Sequence, residues 1–324
     1  ESYDAIVDIL KHLENDETMI IQSGKPVAVF KTWETSPQVL MANSNIVPHW
    51  SHWDKFNELD KLGLIMYGQM TAGSWCYIGT QGIIQGTYET FAALAKKHFQ
   101  SDLTGKIVLT GGMGGMSGAQ PLSVKMAGGV CVDVECDEDR INRRIKAGFC
   151  DKKLTDLDDA VELAEQAKDD NKALSIAVVN NCADTHPYLV KNGFKPDVVT
   201  DQTSAHDELR GYVPAGFFGD NLKEAFDLRT SDPKKYVKHA MESMKYHCKA
   251  ILDFQKDGAI AFDYGNNLRG QAEKAGLNHA FDYPGFVPAY VRPLLSVGRG
   301  PFRWLALSGE PDDILTTDKV VLDM

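Results

Sequence analysis

The sequence predicts an α/β protein built around a parallel sheet, and three observations carry that prediction. Short runs of β-branched residues alternate with amphipathic helical patterns between about residues 106 and 276. Hydrophobic residues make up 43% and charged residues 24% of the 324 residues, which is ordinary globular usage and excludes disordered, collagen-like and coiled-coil chains. No apolar run reaches the roughly 18 residues that a membrane-spanning helix needs.

Charge and cysteine content limit the partners and the compartment. The net charge of −11 and the pI of 5.3 argue against nucleic acid and anionic membranes as partners. The six cysteines form no CxxC pair, and a chain of this size does not need disulfide bonds for its stability. We therefore expect a protein of the reducing cytoplasm. The opening residues, ESYDAIVDILKHLENDE, predict an acidic amphipathic helix and not a signal peptide.

A hairpin and an aromatic segment follow this helix. The string TMIIQSGKPVAVFKT predicts two strands joined by a turn at Ser23-Gly24-Lys25-Pro26. In VPHWSHWDKF, His49 and His52 are three residues apart, but no cluster of Asp, Glu or Cys joins them at ligand spacing. We therefore expect a packing loop there and no metal.

Residues 66–90 are rich in glycine, threonine, serine and glutamine. Two interpretations stay open for this stretch. Small residues let the backbone approach a ligand, while glutamine and threonine supply neutral donors and acceptors. The same composition also fits a set of turns punctuated by glycine.

The most informative segment begins at Lys106. A short strand, KIVLT, runs into the turn GGMGGMSGAQP, a helix follows, and a second buried strand, VCVDVE, ends at Glu135. Glycines at 112, 114 and 115 permit a tight turn and bring backbone N–H groups to a pyrophosphate. Glu135 lies about 20 residues beyond the turn, where a carboxylate accepts hydrogen bonds from ribose hydroxyls and repels a 2′-phosphate. The unit predicts an NAD site, although Ser117 stands where a strict GxGxxG pattern has glycine.

The alternation continues to about residue 276. Helices are predicted over 154–172, 184–194, 219–256 (broken near Pro233) and 268–276, and strands over 173–180, 196–200 and from 259. Ligands gather at the carboxyl ends of parallel strands, so Asn181 and residues 202–206 join Glu135 as candidates. A nucleophile–base pair of Ser204 and His206 is not favoured, because no third orienting group stands at a recognisable spacing.

After about residue 280 the chain becomes rich in proline, glycine and aromatic residues. We predict that residues 86–285 form a Rossmann-like NAD-binding domain inserted in a second, partial α/β core domain, formed by residues 1–85 and 286–324. Arg292, Arg299 and Arg303 are candidates to meet a carboxylate substrate, or are solvated or structural arginines.

Several long strings resemble the urocanase (urocanate hydratase) family. They are MYGQMTAGSW, QGTYETF, TGGMGGMSGAQP, VTDQTSAHD, FDYGNN, DYPGFVPAYVRPL and GPFRW, and they span nearly the whole chain in the family's order. The resemblance implies a cytosolic homodimer and a lyase of histidine degradation, which adds water to urocanate to give imidazolonepropionate. It also implies a tightly bound NAD⁺ that acts as an electrophile and not as a hydride carrier.

The resemblance carries the family's NAD contacts onto sixteen positions of this chain. The glycine turn, Glu135 and two strand-end loops were already candidates from the sequence pattern, whereas Arg140, Tyr212 and Tyr264 were not. At Cys182 and Val213 other small or apolar residues occur in the family, which suggests backbone contacts. The implied contacts are Gln69, Gly115, Met116, Ser117, Glu135, Arg140, Asn181, Cys182, Gln202, Thr203, Ser204, Ala205, His206, Tyr212, Val213 and Tyr264.

The family's active-site cysteine follows the GPFRW string, in a segment that is not among these 324 residues. We therefore expect an internal portion of a urocanase that is incomplete alone, with no catalytic residue assigned. Two other functions stay open at this point: an NAD-dependent dehydrogenase, suggested by the strand–helix–strand unit and Glu135, and a non-catalytic NAD-binding module.

Overall fold

The computed structural model describes residues 2–22, 25–42, 52–62, 64, 74–297, 308 and 310–323. It divides into two compact units, Glu1–Ile83 and Ile84–Met324. No helix among the described residues has both the length and the apolar character needed to cross a bilayer.

The first unit contains a small three-stranded sheet. Helix α1 (Ser2–His12) precedes β1 (Glu17–Gln22), β2 (Lys25–Lys31) and β3 (Val39–Ala42). Strand β1 pairs antiparallel with β2 and parallel with β3. The two predicted strands are therefore confirmed as a hairpin. The predicted turn is wrong at Lys25 and Pro26, which begin β2, and its first two residues lie outside the described part.

The aromatic segment was predicted as a packing loop, and this is wrong for its second half. Residues Trp53–Lys61 form helix α2. Asp54 lies in the first turn of this helix and Lys61 in its last, where each charge complements the helix dipole. His49 lies outside the described residues, so the prediction that the two histidines hold no metal stays a prediction.

The interpretation of residues 66–90 as a set of turns is also wrong from Ser74 onward. Helix α3 covers Ser74–Phe99. Glycine lowers helix propensity, but tertiary packing overrides propensity here, because Phe91, Leu94 and Ala95 are fully buried. The Thr90 hydroxyl also donates to the Gly86 carbonyl within the helix.

The second unit is built on six parallel strands in the order β6-β7-β5-β4-β8-β9. This observation confirms the predicted Rossmann-like α/β fold. The strands are β4 (Ile107–Gly111), β5 (Val130–Glu135), β6 (Lys152–Leu154), β7 (Leu174–Val179), β8 (Val198–Val199) and β9 (Ile260–Ala261). The helices are α4 (Gln120–Met126), α5 (Glu138–Lys146), α6 (Leu157–Asp169), α7 (Cys182–Lys191), α8 (Leu222–Ser231), α9 (Pro233–Lys256), α10 (Leu268–Lys274), α11 (Arg292–Ser296) and α12 (Pro311–Asp323).

Apolar cores lie on both faces of this sheet. Alternate residues of β4 divide between them: Ile107 and Leu109 join the larger core, and Val108 joins a second one with Phe91 and Phe262. Tyr290 packs in the second core with its ring 5.4 Å from that of Phe262. This residue belongs to the segment predicted to return to the core domain, so the residue at which that return begins stays a prediction.

Two elements within residues 106–276 were not predicted, α5 and the edge strand β6, and outside that region β3, α11 and α12 were not predicted either. Helix α5 buries a single apolar residue, Ile141, so it carries little hydrophobic signal. It begins at a clear cap, since the Asp137 carboxylate accepts from the N–H groups of Asp139 and Arg140 at 3.0 and 3.3 Å. Strand β6 has three residues.

Candidate functional site

A cleft of about 280 Å³ lies at the carboxyl ends of the central strands. Within the sheet, β4 has β5 as its neighbour on one side and β8 as its neighbour on the other. The strand order therefore reverses at β4, and the cleft lies at this reversal. The lining residues are Gly112, Gly114, Ser117, Val134, Glu135, Cys136, Asp137, Arg140, Asn180, Asn181, Cys182, Gln202, Thr203, Ser204, Arg210, Gly211, Tyr212, Val213, Leu222, Phe226 and Arg229.

The glycine turn after β4 forms one wall of this cleft and packs tightly on neighbouring loops. Gly112 has φ +94°, and a Cβ there would lie 2.9 Å from the Gln202 carbonyl oxygen. A Cβ on Gly111 would lie 2.3 Å from the Cys182 sulfur. Gly115 differs, because it is exposed and a Cβ there would meet nothing within 4 Å. Packing therefore requires glycine at positions 111 and 112, whereas Gly115 faces open space.

The backbone N–H groups of the turn fall into two sets. Those of residues 112–114 are paired: they donate to the Val134 carbonyl, the Glu135 carboxylate and the Ser117 hydroxyl at 2.9, 2.7 and 2.7 Å. The next three, those of residues 115–117, donate to no group in the described part of the chain. Successive N–H groups of this kind form a concave donor site for an anion.

Arg144 of α5 holds the turn from its other side, and sequence reasoning missed this residue. Its guanidinium donates to the carbonyl groups of Met113 at 3.3 Å, of Gly114, and of Gly115 at 3.5 Å. A Cβ on Gly118 would lie 2.1 Å from Arg144 Nε, so this glycine makes room for the arginine. Because Arg144 satisfies the carbonyl side of the turn, the opposite, N–H side stays available to a ligand.

Glu135 ends β5 with a nearly buried carboxylate, 4% exposed. Oε2 accepts from Met113 N–H at 2.7 Å and Oε1 from Asp137 N–H at 3.0 Å. Arg140 Nη1 lies 3.8 Å from Oε2. A carboxylate has about four acceptor positions, so Glu135 fixes the glycine turn and keeps capacity for a ligand hydroxyl.

The loop after β7 connects two sides of the cleft through Asn181. Its Nδ2 donates to the carbonyl groups of Val213 and Pro214 at 3.0 and 2.9 Å, while Oδ1 caps α7 by accepting from Ala183 N–H at 2.9 Å. The adjacent Cys182 turns its sulfur inward, where it donates to the Val134 carbonyl at 3.6 Å, and burial raises the pKa of this thiol well above its ordinary value. For a ligand bound in the cleft, only the backbone of Cys182 then remains.

The loop after β8 is anchored by Asp201. Its carboxylate accepts from Thr203 N–H at 3.0 Å, from the Thr203 hydroxyl at 2.9 Å and from the Asn266 amide. Burial raises the pKa of Asp201 to about 6. Gln202 N–H donates to the Gly111 carbonyl at 3.0 Å, and the buried Gln202 Oε1 has no hydrogen-bond partner within the described ranges. An orphaned acceptor in a cleft wall is a position for a ligand donor.

The structure brings ten of the sixteen implied contact residues to the cleft lining and places Gly115 and Met116 beside it. Ala205 is buried and His206 exposed, and neither lines the cleft. Tyr264 is also away from the lining: its hydroxyl donates to Thr87 at 3.0 Å and its ring stacks on Phe286 at 4.6 Å. Gln69 lies outside the described residues.

Helix α8 supplies a wall of the cleft that the sequence did not point to. Leu222, Phe226 and Arg229 line it, with the Arg229 guanidinium 4.6 Å from the Phe226 ring centroid. Their spacing of three and four residues marks one helix face, which was the available signal. Arg210, in the loop leading to Tyr212, was missed as well.

Models of three urocanase domains match this chain. The Urocanase Rossmann-like domain matches residues 79–290, the Urocanase N-terminal domain residues 1–76 and the Urocanase C-terminal domain residues 293–324. The chain belongs to the urocanase family. The family resemblance drawn from the motifs is thereby confirmed, and the six-stranded sheet described above is the urocanase Rossmann-like domain.

Among solved structures, the crystal structure of L-tryptophan dehydrogenase from Nostoc punctiforme is similar at 12% identity and a TM-score of 0.22, over 75% of this chain and 68% of that chain.

Proposed function

We propose that this urocanase-family chain acts as a urocanate hydratase that holds NAD⁺ in the cleft at the switch point of its sheet. The observation that carries the proposal is the glycine turn: its N–H groups at residues 115–117 have no partner in the described part of the chain, and its Met113 N–H donates to the Glu135 carboxylate. A dinucleotide site combines an anion-binding turn of this kind with a ribose-binding acid at the end of the next strand. A homodimer and a cytoplasmic location belong to the same proposal.

The residues present fit NAD⁺. The N–H groups of the glycine turn would hold the pyrophosphate, and Glu135 would accept from the adenosine ribose hydroxyls. The buried Gln202 Oε1 offers an acceptor to an N–H or O–H group of the bound molecule. When bound, NAD⁺ would supply a cationic pyridinium ring that serves as an electron sink for the conjugated imidazole–acrylate of urocanate.

The protein's own contribution in this proposal is orientation. Arg144 fixes the carbonyl side of the turn, Asn181 fixes the loop that carries Val213, and Asp201 fixes Thr203, so three walls of the cleft are preorganised. Holding reactants in a productive geometry lowers a barrier by up to about 7–11 kcal/mol. Glu135 also sets the choice of cofactor, because a buried carboxylate repels a 2′-phosphate.

The proposal is tested on the purified chain in two steps. The first is nucleotide binding: the extract of denatured protein is assayed for NAD⁺ and NADP⁺, and binding of each is measured by calorimetry. We expect NAD⁺ to bind and NADP⁺ to bind at least tenfold more weakly. Equal or absent binding of both would overturn the assignment of the cleft.

The second step is turnover, followed as the loss of urocanate absorbance with excess NAD⁺. Because the resemblance places the family's active-site cysteine in a segment that is not among these 324 residues, the chain is compared with a version extended by the family's terminal segments. We expect turnover by the extended version, with the nicotinamide oxidised throughout, and little turnover by the chain alone. Absorbance of reduced nicotinamide that appears with substrate would favour a dehydrogenase. Binding of NAD⁺ without any loss of urocanate in either chain would favour a non-catalytic NAD-binding module.

A further inference from the structure

A cluster of metal-ligating side chains lies between α7 and α9, and one of its members, Cys182, also lines the cleft. Cys182 and His186 stand one helical turn apart on α7, and His247 faces them from α9. Their sulfur and ring nitrogen atoms all lie within 4.8 Å of one another. All three are buried, and both histidines are 0% exposed.

Three of the four imidazole nitrogens of this cluster have no hydrogen-bond partner among the described residues. Both ring nitrogens of His186 and Nε2 of His247 are buried without a hydrogen-bond partner in the described part of the chain. A buried polar atom without a partner costs free energy, so three of them in one place call for an occupant such as an ion. The two rings lie 4.6 Å apart, centroid to centroid, with an angle of 66° between their planes.

The surroundings orient His247 toward a fourth ligand. Nδ1 of His247 lies 3.0 Å from the buried Tyr212 hydroxyl, which fixes the ring and leaves Nε2 as the ligating atom. That Nε2 lies 3.9 Å from Asp201 Oδ1. Among the described residues no lysine or arginine nitrogen lies within 4 Å of this carboxylate, so a cation there would be its charge partner.

We propose that Cys182, His186, His247 and Asp201 bind one Zn²⁺ ion, which joins α7 to α9 beneath the cleft. Thiolate, imidazole and carboxylate are the ligands that this cation takes in tetrahedral sites. Ligand atoms about 2.0–2.3 Å from the ion are about 3.3–3.8 Å apart in a tetrahedron, so the ligand atoms of Cys182, His186 and His247, which lie within 4.8 Å of one another, need to approach by about 1 Å. The Asp201 carboxylate lies outside that group of three, 3.9 Å from His247 Nε2, and needs to move toward the ion as well.

Binding replaces one contact and releases one proton. The Cys182 S–H bond breaks and the proton goes to solvent, the S–H···O contact to the Val134 carbonyl is lost, and a Zn–S bond forms. With one thiolate and one carboxylate the bound ion is electrically neutral overall, which a buried site requires. The site has a structural role, since four protein ligands leave no open position.

This inference does not rest on the proposed function. Cys182 would contact NAD⁺ only through its backbone, so the metal and the cofactor do not compete for the same atoms. Calorimetric NAD⁺ binding, measured on the same samples, keeps a failure of one proposal separate from a failure of the other.

The first test is spectroscopic and uses Co²⁺ as a substitute for Zn²⁺. The full chain is treated with a chelator, dialysed and titrated with Co²⁺. We expect one equivalent to give intense visible bands of tetrahedral cobalt and a thiolate-to-cobalt charge-transfer band in the near ultraviolet, both lost when Zn²⁺ is added. Cys182→Ala and His186→Leu should abolish the charge-transfer band and the stoichiometric binding.

Cys150→Ala is the matched control, because Cys150 is an equally buried cysteine in a separate apolar cluster. This variant should keep the full cobalt spectrum. Weak octahedral bands in the unmodified chain, or a spectrum that survives both Cys182→Ala and His186→Leu, would overturn the proposal.

The second test measures thermal stability, so it uses Zn²⁺ itself and needs no visible absorption from the metal. Zn²⁺ should raise the melting temperature of the unmodified chain by several degrees, because a ligand that binds only the folded state stabilises it. His186→Leu should show no such rise. Without metal this variant should melt no lower than the unmodified chain, since leucine removes two unpaired buried nitrogens. An unmodified chain whose melting temperature does not respond to Zn²⁺ would also overturn the proposal.

Discussion

At the scale of single residues, Glu135 has a structural and a binding task at the same time. It accepts from Met113 N–H and Asp137 N–H while facing the cleft. Glu135→Gln removes the charge and brings an amide N–H group against one of these backbone donors. Since a hydrogen bond to a charged group is worth about 1.5–3 kcal/mol, we expect NAD⁺ affinity to fall about 10- to 100-fold, measured by titration calorimetry.

The matched control for this change is Glu138→Gln. Glu138 is three residues away on α5 and pairs with Lys153 Nζ at 2.6 Å, outside the cleft lining. This variant should bind NAD⁺ as the unmodified chain does. Equal losses in both variants would mean that net charge, and not the position of Glu135, sets the affinity.

Asp133 is a second residue whose environment leads to a prediction, here about the pH dependence of stability. It lies on β5, is 0% exposed, and neither carboxyl oxygen has a partner in the part of the chain that is described. Burial raises its pKa well above the ordinary value of 3.8. The folded state therefore keeps this proton while the unfolded state loses it above about pH 4, so the stability of the protein falls as pH rises from there toward the folded-state pKa.

Asp133→Val should accordingly stabilise the chain at neutral pH. We expect the free energy of unfolding to rise by about 1–3 kcal/mol at pH 7 and by less at pH 4, measured by denaturant unfolding at both values. Asp197→Val is the contrasting variant, because Asp197 accepts from Ile107 N–H at 2.9 Å and Lys168 Nζ at 2.7 Å. It should destabilise, and a loss of stability in Asp133→Val at pH 7 would contradict the argument.

At the scale of elements, different glycines of the turn serve packing and ligand binding. Gly112→Ala would force an unfavourable φ of +94° and a 2.9 Å approach to the Gln202 carbonyl, so we expect a loss of about 1–3 kcal/mol in the free energy of unfolding. A Cβ added at Gly115 would meet nothing within 4 Å, so we expect Gly115→Val to leave stability nearly unchanged. Its branched side chain stands beside the free N–H groups, however, and should abolish NAD⁺ binding, measured by calorimetry. A Gly115→Val protein that still binds NAD⁺ normally would mean that the turn is not the phosphate site.

The elements also explain what the sequence allowed us to predict. The strand, turn, strand and acid of residues 106–135 follow from local patterns, and the structure has them where expected. Arg144 and the His247 member of the proposed zinc site depend on contacts between residues far apart in the chain, which no local pattern contains. Helix α3 was missed for the opposite reason: its glycines suggest turns, and only the packing of Phe91 and Leu94 in the second core overrides them.

At the scale of the whole molecule, the residues of the cleft all belong to one compact unit. The lining extends from Gly112 to Arg229, inside the unit Ile84–Met324. The second core of that unit uses the carboxyl-terminal half of α3, through Phe91, Leu94 and Ala95. NAD⁺ binding by this unit should therefore require α3 and should not require the sheet of the first unit.

Two shortened chains test this dependence. A chain of residues 74–297 keeps α3 whole, the six-stranded sheet and both cores, so we expect cooperative unfolding by calorimetry. It should bind NAD⁺ within about tenfold of the full chain, because the implied contact that it loses, Gln69, is worth about one hydrogen bond. A chain of residues 101–297 lacks α3 and so loses Phe91, Leu94 and Ala95 from the second core, where Phe91 packs against Phe262. Each large core side chain that loses its partners costs about 2–5 kcal/mol, comparable to much of a domain's stability, so this shorter chain should not fold cooperatively. Cooperative folding and NAD⁺ binding by residues 101–297 would show that α3 is dispensable and that the sheet with its other helices is sufficient.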